Sequence, residues 1–323
     1  MAIGNTTQFS DRGVLREIYK PAFEDAVFRN NQLLGLTING QPLMPEVQSP
    51  DGLYRFPINY AGNTSAAVFA EGASAPVPVA QSYISCAMSA VYFWAWTRVT
   101  GHVRDRVRNG AVAAGANPID NEFMAGFEDL RDLVNTSFMQ STYGLEQIID
   151  DANTVGGIAQ GTYTGFAASV TNHNGVLTRT GLLNIDETCR DSQGGAANVI
   201  LTAHNQLTNY SALTGEPNAQ NSSLSVELGL VGGGSLDLAP NHGGLSFKGA
   251  PIVGLNDWTD TIIMGLDLRR TKSGPNIVQF SVRDFDIRGP QMSGDDDVYE
   301  MSTARGLAVH RPALCWKLED VTA

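Results

Sequence analysis

Charge is scarce in this chain, and the scarcity is greatest in one stretch. Only 17% of the 323 residues are charged, and a single charged residue, Glu71, occurs between Arg55 and Arg98. Water-facing surfaces normally carry charged side chains, whereas surfaces covered by protein tend to lack them, because charge is costly to desolvate. We therefore expect residues 56–97 to be covered, either by the rest of the chain or by a partner protein.

Positive charge is especially low. The formal net charge is −12, and there are only four lysines. Tight binding to phosphate backbones depends on Lys and Arg that release counterions, so the composition argues against a tight nucleic-acid binder without excluding a protein that encloses nucleic acid. The one basic concentration suits either a phosphate contact or a salt-bridged turn between subunits. It consists of Arg98, Arg104, Arg106 and Arg108.

Disulfide, secretion and membrane signals are also missing. Cys86, Cys189 and Cys315 are widely spaced and form no CxxC pair, so neither a disulfide framework nor a zinc site is expected, and a reducing cytosol suits folding. The N-terminus lacks the basic region and apolar run of a secretory signal. The most apolar window, Ala87–Trp96, is about half the ~20 residues of a membrane span, so no membrane partner is expected.

Motifs that carry catalysis are absent as well. The glycine-rich runs lack the spacing of a phosphate or dinucleotide loop, and neither GxSxG nor HExxH occurs. Asp295–Asp297 predicts a solvated turn, and Glu128 with Asp132 predicts a water-facing helix surface. The histidines are far apart in sequence, which leaves open only a chance pairing in space. We therefore predict no catalytic, cofactor-binding or metal-binding residue and no enzyme.

What is present is, first, a long helix from Asn117 to Tyr143. Apolar residues recur there at steps of three or four, which places them on one stripe of a helix. They are Ile119, Phe123, Phe127, Leu130, Val134 and Phe138, with Met124 and Leu133 expected to widen the stripe. The opposite face is predicted to be polar and comprises Asp120, Asn121, Glu128, Asp129, Arg131, Asp132, Asn135 and Gln140. Asn117 and Gly144 suit its two ends. Such a rod should lie across a large sheet or an interface, or be an ordinary long core helix.

The residues before this helix predict two extended parts. Residues 1–45 have too few consecutive apolar positions to fold alone, so they predict an arm that packs on the body or on a neighbour. Residues 46–100 alternate in hydropathy and predict a long two-stranded hairpin. An isolated hairpin is marginally stable in water, so this one needs a partner surface. The alternative is a sheet inside one compact domain.

The residues after the helix predict an α/β region followed by returning strands. Leu145–Asp150 predicts a strand, Leu182–Gly194 an amphipathic helix, and Asn198–Ala203 a buried strand. Pro217–Gly244 is polar and glycine-rich and predicts a surface excursion. The later elements are two strands within FKGAPIVGLNDW and TIIMGLDLR, an alternating strand in NIVQFSVRDFDIRG, and two closing strands that meet at Pro312.

In order and pattern, these segments resemble the major capsid proteins of tailed bacteriophages, which have the Hong Kong 97-type fold. The resemblance spans nearly the whole chain and includes no catalytic signature. Beside the long helix, the segments that carry it are FAEGASAPVPVAQSYISCAMSAVYFWAWTRV at Phe69–Val99, FKGAPIVGLNDWTDTIIMGLDLRR at Phe247–Arg270 and VYEMSTARGLAVHRPALCWKL at Val298–Leu318. It implies an α+β capsid fold with an arm, an extended loop, a spine helix, a peripheral domain and an α/β axial domain.

The resemblance also implies domain boundaries. They are 1–45 for the N-terminal arm, 46–100 for the extended loop, 101–144 for the peripheral domain with spine helix 117–143, 145–270 for the axial domain, and 271–323 for the peripheral return strands. Two departures from the family matter. The arm begins within a few residues of Met1, so a separate scaffold, or none, is expected instead of a cleaved segment. Residues 46–100 contain no lysine, which excludes the lysine–asparagine crosslink of some relatives.

The expected function is therefore structural. The resemblance implies a major capsid protein that assembles as hexamers and pentamers into an icosahedral shell around double-stranded DNA, without sequence-specific binding. Scaffolding, decoration and portal proteins would be partners, and the protein would be found in the virion after assembly in the host cytoplasm. One alternative is an encapsulin-like compartment that encloses enzymes. The other is an α/β enzyme, which predicts a pocket containing groups with shifted pKa values.

Overall fold

The computed structural model describes most of the chain. The described residues are 37–38, 41–42, 44–61, 82–102, 118–140, 143–214, 226–228, 234–237, 245–271, 274–293 and 295–322. Most of the predicted arm and the tip of the predicted hairpin lie outside these ranges, as do Asn117, Arg104–Arg108 and His242. The side chains of Ile119 and Asp120 also lie outside what is described.

The described residues form the following elements. The helices are α1 (Pro118–Gln140), α2 (Leu145–Ile148), α3 (Arg179–Gln193) and α4 (His204–Thr214), with a 3₁₀ turn at Pro312–Leu314. The first ten strands are β1 (Thr37–Ile38), β2 (Gln41–Pro42), β3 (Glu46–Gln48), β4 (Leu53–Ala61), β5 (Ser82–Ser89), β6 (Val91–Val99), β7 (Thr154–Val155), β8 (Ile158–Ala159), β9 (Ser169–Val176) and β10 (Val199–Ala203). The others are β11 (Val226–Leu228), β12 (Gly234–Asp237), β13 (Ser246–Phe247), β14 (Ala250–Leu255), β15 (Ile263–Leu266), β16 (Arg270–Thr271), β17 (Gly274–Pro275), β18 (Ile277–Ser293), β19 (Asp296–Val309) and β20 (Trp316–Thr322).

The larger sheet has six strands in the order β13-β14-β10-β15-β20-β9. Strands β10 and β14 are parallel, as expected for two strands joined through a crossover that contains helix α4. Every residue of β10, β14 and β15 is buried, and the side chains of successive residues enter two different apolar clusters. This sheet is therefore covered on both faces within one subunit.

Helix α3 covers one face of the six-stranded sheet. It begins where the Thr178 hydroxyl accepts a hydrogen bond from the Gly181 amide at 3.1 Å, and it ends at Gly194, whose φ of 71° favours glycine. Leu182 and Ile185 are buried, as the amphipathic pattern predicts, and Cys189 is buried beside them. Leu183, which the same pattern predicts to point inward, is only partly buried.

The second sheet has the order β3-β18-β19-β6, and α1 crosses one of its faces. The predicted stripe of α1 is confirmed from Phe123 onward, because Phe123, Phe127, Leu130, Val134 and Phe138 are all at most 1% exposed, whereas the side chain of Ile119 is not described. Phe127 meets Phe285 of β18 edge to face with ring centroids 5.3 Å apart, and Phe138 meets Phe93 of β6 at 6.2 Å. The helix thus lies across a sheet completed by the C-terminal strands.

Two residues of α1 do not follow the predicted apolar stripe. Met124 is 42% exposed and Leu133 is 49% exposed, so the stripe is narrower than expected. On the polar face, Asn135 is buried instead of exposed, because its side-chain amide donates a hydrogen bond to the Asp257 carboxylate at 3.0 Å. Glu128 and Asp132 are exposed, as predicted.

The strand predicted at Leu145–Asp150 is wrong. Residues Leu145–Ile148 form the single-turn helix α2, whose amides at Gln147 and Ile148 donate to the Gly144 carbonyl at 3.2 and 3.1 Å. Leu145, Ile148 and Ile149 still bury their side chains in the main core. A six-residue segment with only three apolar residues cannot distinguish a buried strand from one buried helical turn, because both place apolar residues inward.

Candidate assembly surfaces

The hairpin predicted over residues 46–100 is present only as strands β4 and β5, which pair antiparallel from Leu53↔Ser89 to Ala61↔Ser82. The predicted ends are wrong, because β3 and β6 pair with β18 and β19 of the four-stranded sheet instead. One face of this ribbon is apolar and carries Tyr54, Phe56, Ile58, Ile84, Cys86 and Met88. The opposite face leaves Arg55, Pro57 and Ser85 exposed, and Tyr83 is 62% exposed. The hairpin forms a two-stranded sheet of its own, whose apolar face packs on the main core and whose opposite face is open in the described part of the chain.

The base of the hairpin is fixed by an aromatic cluster around His310. The Tyr54 ring stacks on Phe280 with centroids 5.4 Å apart, and Phe56 meets the His310 ring edge-on at 4.8 Å. The His310 Nδ1 lies 2.6 Å from the Pro275 carbonyl, which can only accept, so Nδ1 carries the proton. His310 Nε2 then accepts from the Tyr54 hydroxyl at 3.0 Å.

This arrangement requires a neutral imidazole. Burial lowers the pKa of His310, although the hydrogen bond to the Pro275 carbonyl opposes the shift. Burial also raises the pKa of Tyr54, which keeps the phenol protonated as a donor. At neutral pH the hydrogen bond between strand β4 and the end of β19 is therefore intact.

A second contact fixes strand β5. The Ala87 amide donates to the Gly156 carbonyl at 3.0 Å, and Cys86 is fully buried beside the β7–β8 turn. A Cβ atom on Gly156 would lie 2.2 Å from the Cys86 sulfur, and the φ of 56° at Gly156 also favours glycine. Burial raises the pKa of the Cys86 thiol to about 12, so this cysteine is a packing residue and not a nucleophile.

Strand β6 carries a row of exposed aromatic rings. Its even-numbered residues point away from helix α1, and Tyr92, Trp94 and Trp96 are 54%, 56% and 56% exposed. On the other side of the strand, Phe93 and Thr97 are buried towards α1. Large exposed aromatic residues in a row are typical of surfaces that another protein covers.

The only described member of the predicted basic cluster, Arg98, ends this row. Its guanidinium pairs with Asp296, with Nε of Arg98 2.7 Å from the carboxylate. Asp296 also accepts from the Gly101 amide at 3.3 Å. The predicted acidic turn therefore begins strand β19 and holds Arg98 of its own chain, which leaves a phosphate contact at this arginine unsupported.

No enzyme-like cluster of groups is found among the described residues. Within those ranges, no group of three or more His, Cys, Asp or Glu side chains is placed to hold a metal ion, and no helix is long and apolar enough to cross a membrane. The three cysteines are buried free thiols, and burial raises the pKa of each. Lys317 is buried too, but it donates to the Glu146 carbonyl at 3.0 Å and pairs with Asp150 and Glu319, which gives it a structural role.

The fold has clear relatives among solved structures, although the sequence does not. No protein-family model and no curated protein sequence matches the chain. The capsid asymmetric unit of cyanophage A-1(L) is similar with a TM-score of 0.67 at 15% identity, covering 91% of this chain and 93% of that one. The SrpI encapsulin complex of Synechococcus elongatus gives a TM-score of 0.57 at 14% identity, covering 86% and 85% of the two chains. A Mycobacterium phage Bobi chain gives 0.54 at 9% identity, covering 87% and 89%.

The chain has the Hong Kong 97-type fold. This confirms the fold expected from the resemblance, including the α+β class. The similar structures are shell proteins and not enzymes.

Within this Hong Kong 97-type fold, sequence reasoning located the hairpin and the long helix but missed two features of the surface. The alternation in VYFWAWTRV predicted a strand, yet it did not distinguish the covered face from the open one. The contact between Tyr54 and His310 joins residues 256 positions apart, and no local pattern marks it. A row of three aromatic residues at every second position was the available signal for the first feature.

Proposed function

We propose that this chain is a major capsid protein whose copies assemble as hexamers and pentamers into an icosahedral shell around double-stranded DNA. The observation that carries the proposal is the hairpin β4–β5 of a Hong Kong 97-type fold, a ribbon that carries no charge in residues 56–61 and 82–89, is anchored at its base and exposes Pro57, Tyr83 and Ser85 on its outer face. Such a ribbon gains stability only when another surface covers it. The low number of lysines is consistent with a shell that encloses DNA without binding it tightly.

The parts of the subunit follow from the same proposal. Residues 1–45 would be the arm, 46–100 the extended loop, and 145–270 the axial domain, with α1 as the spine helix that joins periphery to axis. In this division, β3 and β6 at the two ends of the extended loop are strands of the peripheral sheet, since they pair with β18 and β19. The protein would be located in the virion after assembly in the host cytoplasm, with scaffolding, decoration and portal proteins as partners and no enzymatic activity.

An encapsulin-like compartment is the second candidate, and it is favoured by the similarity to the Synechococcus elongatus encapsulin complex. Both candidates predict closed particles, but they differ in the contents. The test is to express the full chain, isolate particles, treat them with nuclease and analyse what is protected inside. Protected double-stranded DNA, acquired when the particles are made during a phage infection, supports the capsid. A protected enzyme cargo supports the compartment instead, and the absence of any particle, even with crowding agents, contradicts both.

A further inference from the structure

Strand β6 is an edge strand with a partly symmetric sequence. Strand β19 pairs with one of its edges from Val91↔Arg305 to Val99↔Asp297, and no described strand pairs with the other edge. Edge strands usually carry Lys, Pro or a bulge that prevents pairing with another chain. Strand β6 has neither Lys nor Pro, and its register with β19 is unbroken over nine residue pairs.

The sequence of β6 is partly the same when it is read in reverse, because Val91 matches Val99 and Trp94 matches Trp96, although Phe93 and Thr97 differ. About a centre at Ala95, Trp94 corresponds to Trp96 and Tyr92 to Arg98, and all four point to the face away from α1. Residues directly opposite each other in an antiparallel pair lie on the same face of the sheet. An antiparallel pair of two β6 strands centred on Ala95 would therefore place each Trp94 against Trp96 of the second copy, and each Tyr92 against an arginine.

We propose that β6 pairs with β6 of a second copy of this chain about a two-fold axis at Ala95, which joins two four-stranded sheets into one eight-stranded sheet. This proposal rests on the proposed shell function, because it assigns a contact between subunits of that shell. The row of six aromatic rings formed in this way contains two Trp–Trp pairs and ends in Arg–Tyr cation–π contacts. Charged groups surround the row on β18 and β19, among them Asp286, Arg288 and Glu300, as is usual at the rim of an interface.

Other antiparallel registers leave some exposed side chains of β6 without a partner on the second β6 strand. Shifting the centre to Trp94 places Arg98 opposite Ala90, and shifting it to Trp96 places Tyr92 opposite Thr100. Both of these partners lie outside β6. A one-residue slip would turn the aromatic row of one copy towards the helix side of the other. The centre at Ala95 thus gives the full nine-residue overlap with every exposed side chain opposed.

Helix α1 leaves room for this pairing. A Cβ on Gly126 would lie 2.4 Å from Oγ1 of Thr97 and 2.9 Å from Cε of Met301, so the helix stands over the boundary between β6 and β19. With strands spaced about 4.8 Å apart, the two α1 helices of the pair would be about 10 Å apart. This separation lies in the ordinary range of about 8–10 Å for packed helices.

Cysteine crosslinking tests both the pairing and its register. In the full chain, Ala95→Cys places two thiols opposite each other, with Cα atoms about 4.5–5.5 Å apart, within disulfide reach. Trp94→Cys and Trp96→Cys place theirs about 8 Å apart, which is too far. The native cysteines are buried and do not interfere. After mild oxidation we expect at least about tenfold more disulfide-linked dimer from Ala95→Cys than from either control.

A second set of variants separates pairing from general damage. On the Ala95→Cys background, Trp94→Lys with Trp96→Lys opposes lysines across the axis and should abolish the crosslink, while Leu213→Lys, at an exposed position of helix α4 outside the hairpin and β6, should retain it. Circular dichroism checks that each variant is folded. If the Ala95→Cys variant forms closed particles but no crosslinked dimer, the proposed β6–β6 pairing is contradicted while the proposed shell function is still supported. Crosslinked dimers without particles support the pairing and contradict the shell, and folded monomers alone contradict both.

Discussion

The two main sheets of the subunit differ in how completely the chain covers them. The six-stranded sheet has apolar clusters on both faces, and three of its strands have no exposed residue. Among the described residues, the four-stranded sheet is covered by α1 on one face, and its edge strand exposes Tyr92, Trp94 and Trp96 on the other. The hairpin that precedes β6 likewise exposes one face, which carries Pro57, Tyr83 and Ser85. One region is therefore buried within the subunit, whereas the other would gain burial from neighbouring subunits in the proposed shell.

This difference separates two kinds of stability. Side chains of the first region, and those under α1, contribute to the folding of a single subunit. Side chains on the open face of the four-stranded sheet and on the exposed face of the hairpin would contribute only in the proposed shell, once subunits meet. Substitutions in the two regions should therefore affect different measurements, and four predictions compare them.

The largest effect is expected at Phe127, which is fully buried between α1 and β18. Phe127→Asp places an unpaired charge there, so we expect a loss of about 4 kcal/mol or more and little folded protein. Met124→Asp, at an exposed position of the same helix, should change the free energy of unfolding by less than about 0.5 kcal/mol. Denaturant unfolding measures both, and an unchanged midpoint for Phe127→Asp would show that the facing of α1 is wrong.

A somewhat smaller loss is expected at Lys317 on β20. Burial disfavours the charge of Lys317, but bonds to Asp150 and Glu319 outweigh it and raise the lysine's pKa. Lys317→Met removes the cation and leaves these carboxylates facing a buried methionine, at a cost of about 3 kcal/mol. Lys248→Met is the matched control, since Arg190 remains to pair with Asp186 at 2.9 Å. Equal losses in the two variants, measured by denaturant unfolding, would contradict a special role for the buried ion pair.

A moderate, pH-dependent loss is expected at the hairpin base. The folded-state pKa of His310 is below its ordinary value of about 6.5, so the unfolded chain binds the proton more readily. Stability is therefore fully present above pH ~6.5 and decreases as the pH falls from there towards the lower folded-state pKa. His310→Gln should flatten this part of the profile of unfolding midpoint against pH. His173→Gln, at a histidine away from the hairpin base, should keep it, and a wild-type profile in His310→Gln would refute the assignment.

The smallest effect on folding is expected from shortening the hairpin. The anchoring contacts of Tyr54 and Ala87 lie at its base, so deletion of Gly62–Val79 should change the free energy of unfolding of the subunit by no more than about 1 kcal/mol. The same deletion should abolish closed shells in electron micrographs. Loss of folded subunits instead would mean that the hairpin belongs to a compact sheet within one domain.

Sequence patterns predicted those parts of the fold whose signal is local and periodic. The stripe from Phe123 to Phe138 repeats over four turns, and the alternation of β4 and β5 extends over eight or more residues, so both were recognisable. Helix α2 has only four residues, barely one helical period, so no repeat is visible and the segment was assigned to the wrong class. The burial of Asn135 depends on Asp257, a residue 122 positions away, and periodicity along the helix does not indicate such a partner.

The order of the strands within the sheets was harder to predict from the sequence than the strands themselves. Strands β14 and β15 were predicted as neighbours in sequence, yet β10 lies between them in the sheet. Strand β6 continues from β5 after one residue, but it pairs with β19, about two hundred positions further on. Such pairings depend on which apolar faces meet during folding, which single-strand patterns do not encode. The alternating aromatic residues of β6 can be read from the sequence, but only the position of α1 shows that their face of the strand is exposed.

Hydrogen exchange on assembled and disassembled subunits tests the central comparison most directly. In the assembled shell, we predict that amides of β4, β5 and β6 gain protection, because neighbouring subunits cover them, whereas amides of β10, β14 and β15 are equally protected in both states. A gain that is equal in both sheets, or that is confined to the six-stranded sheet, would contradict the account.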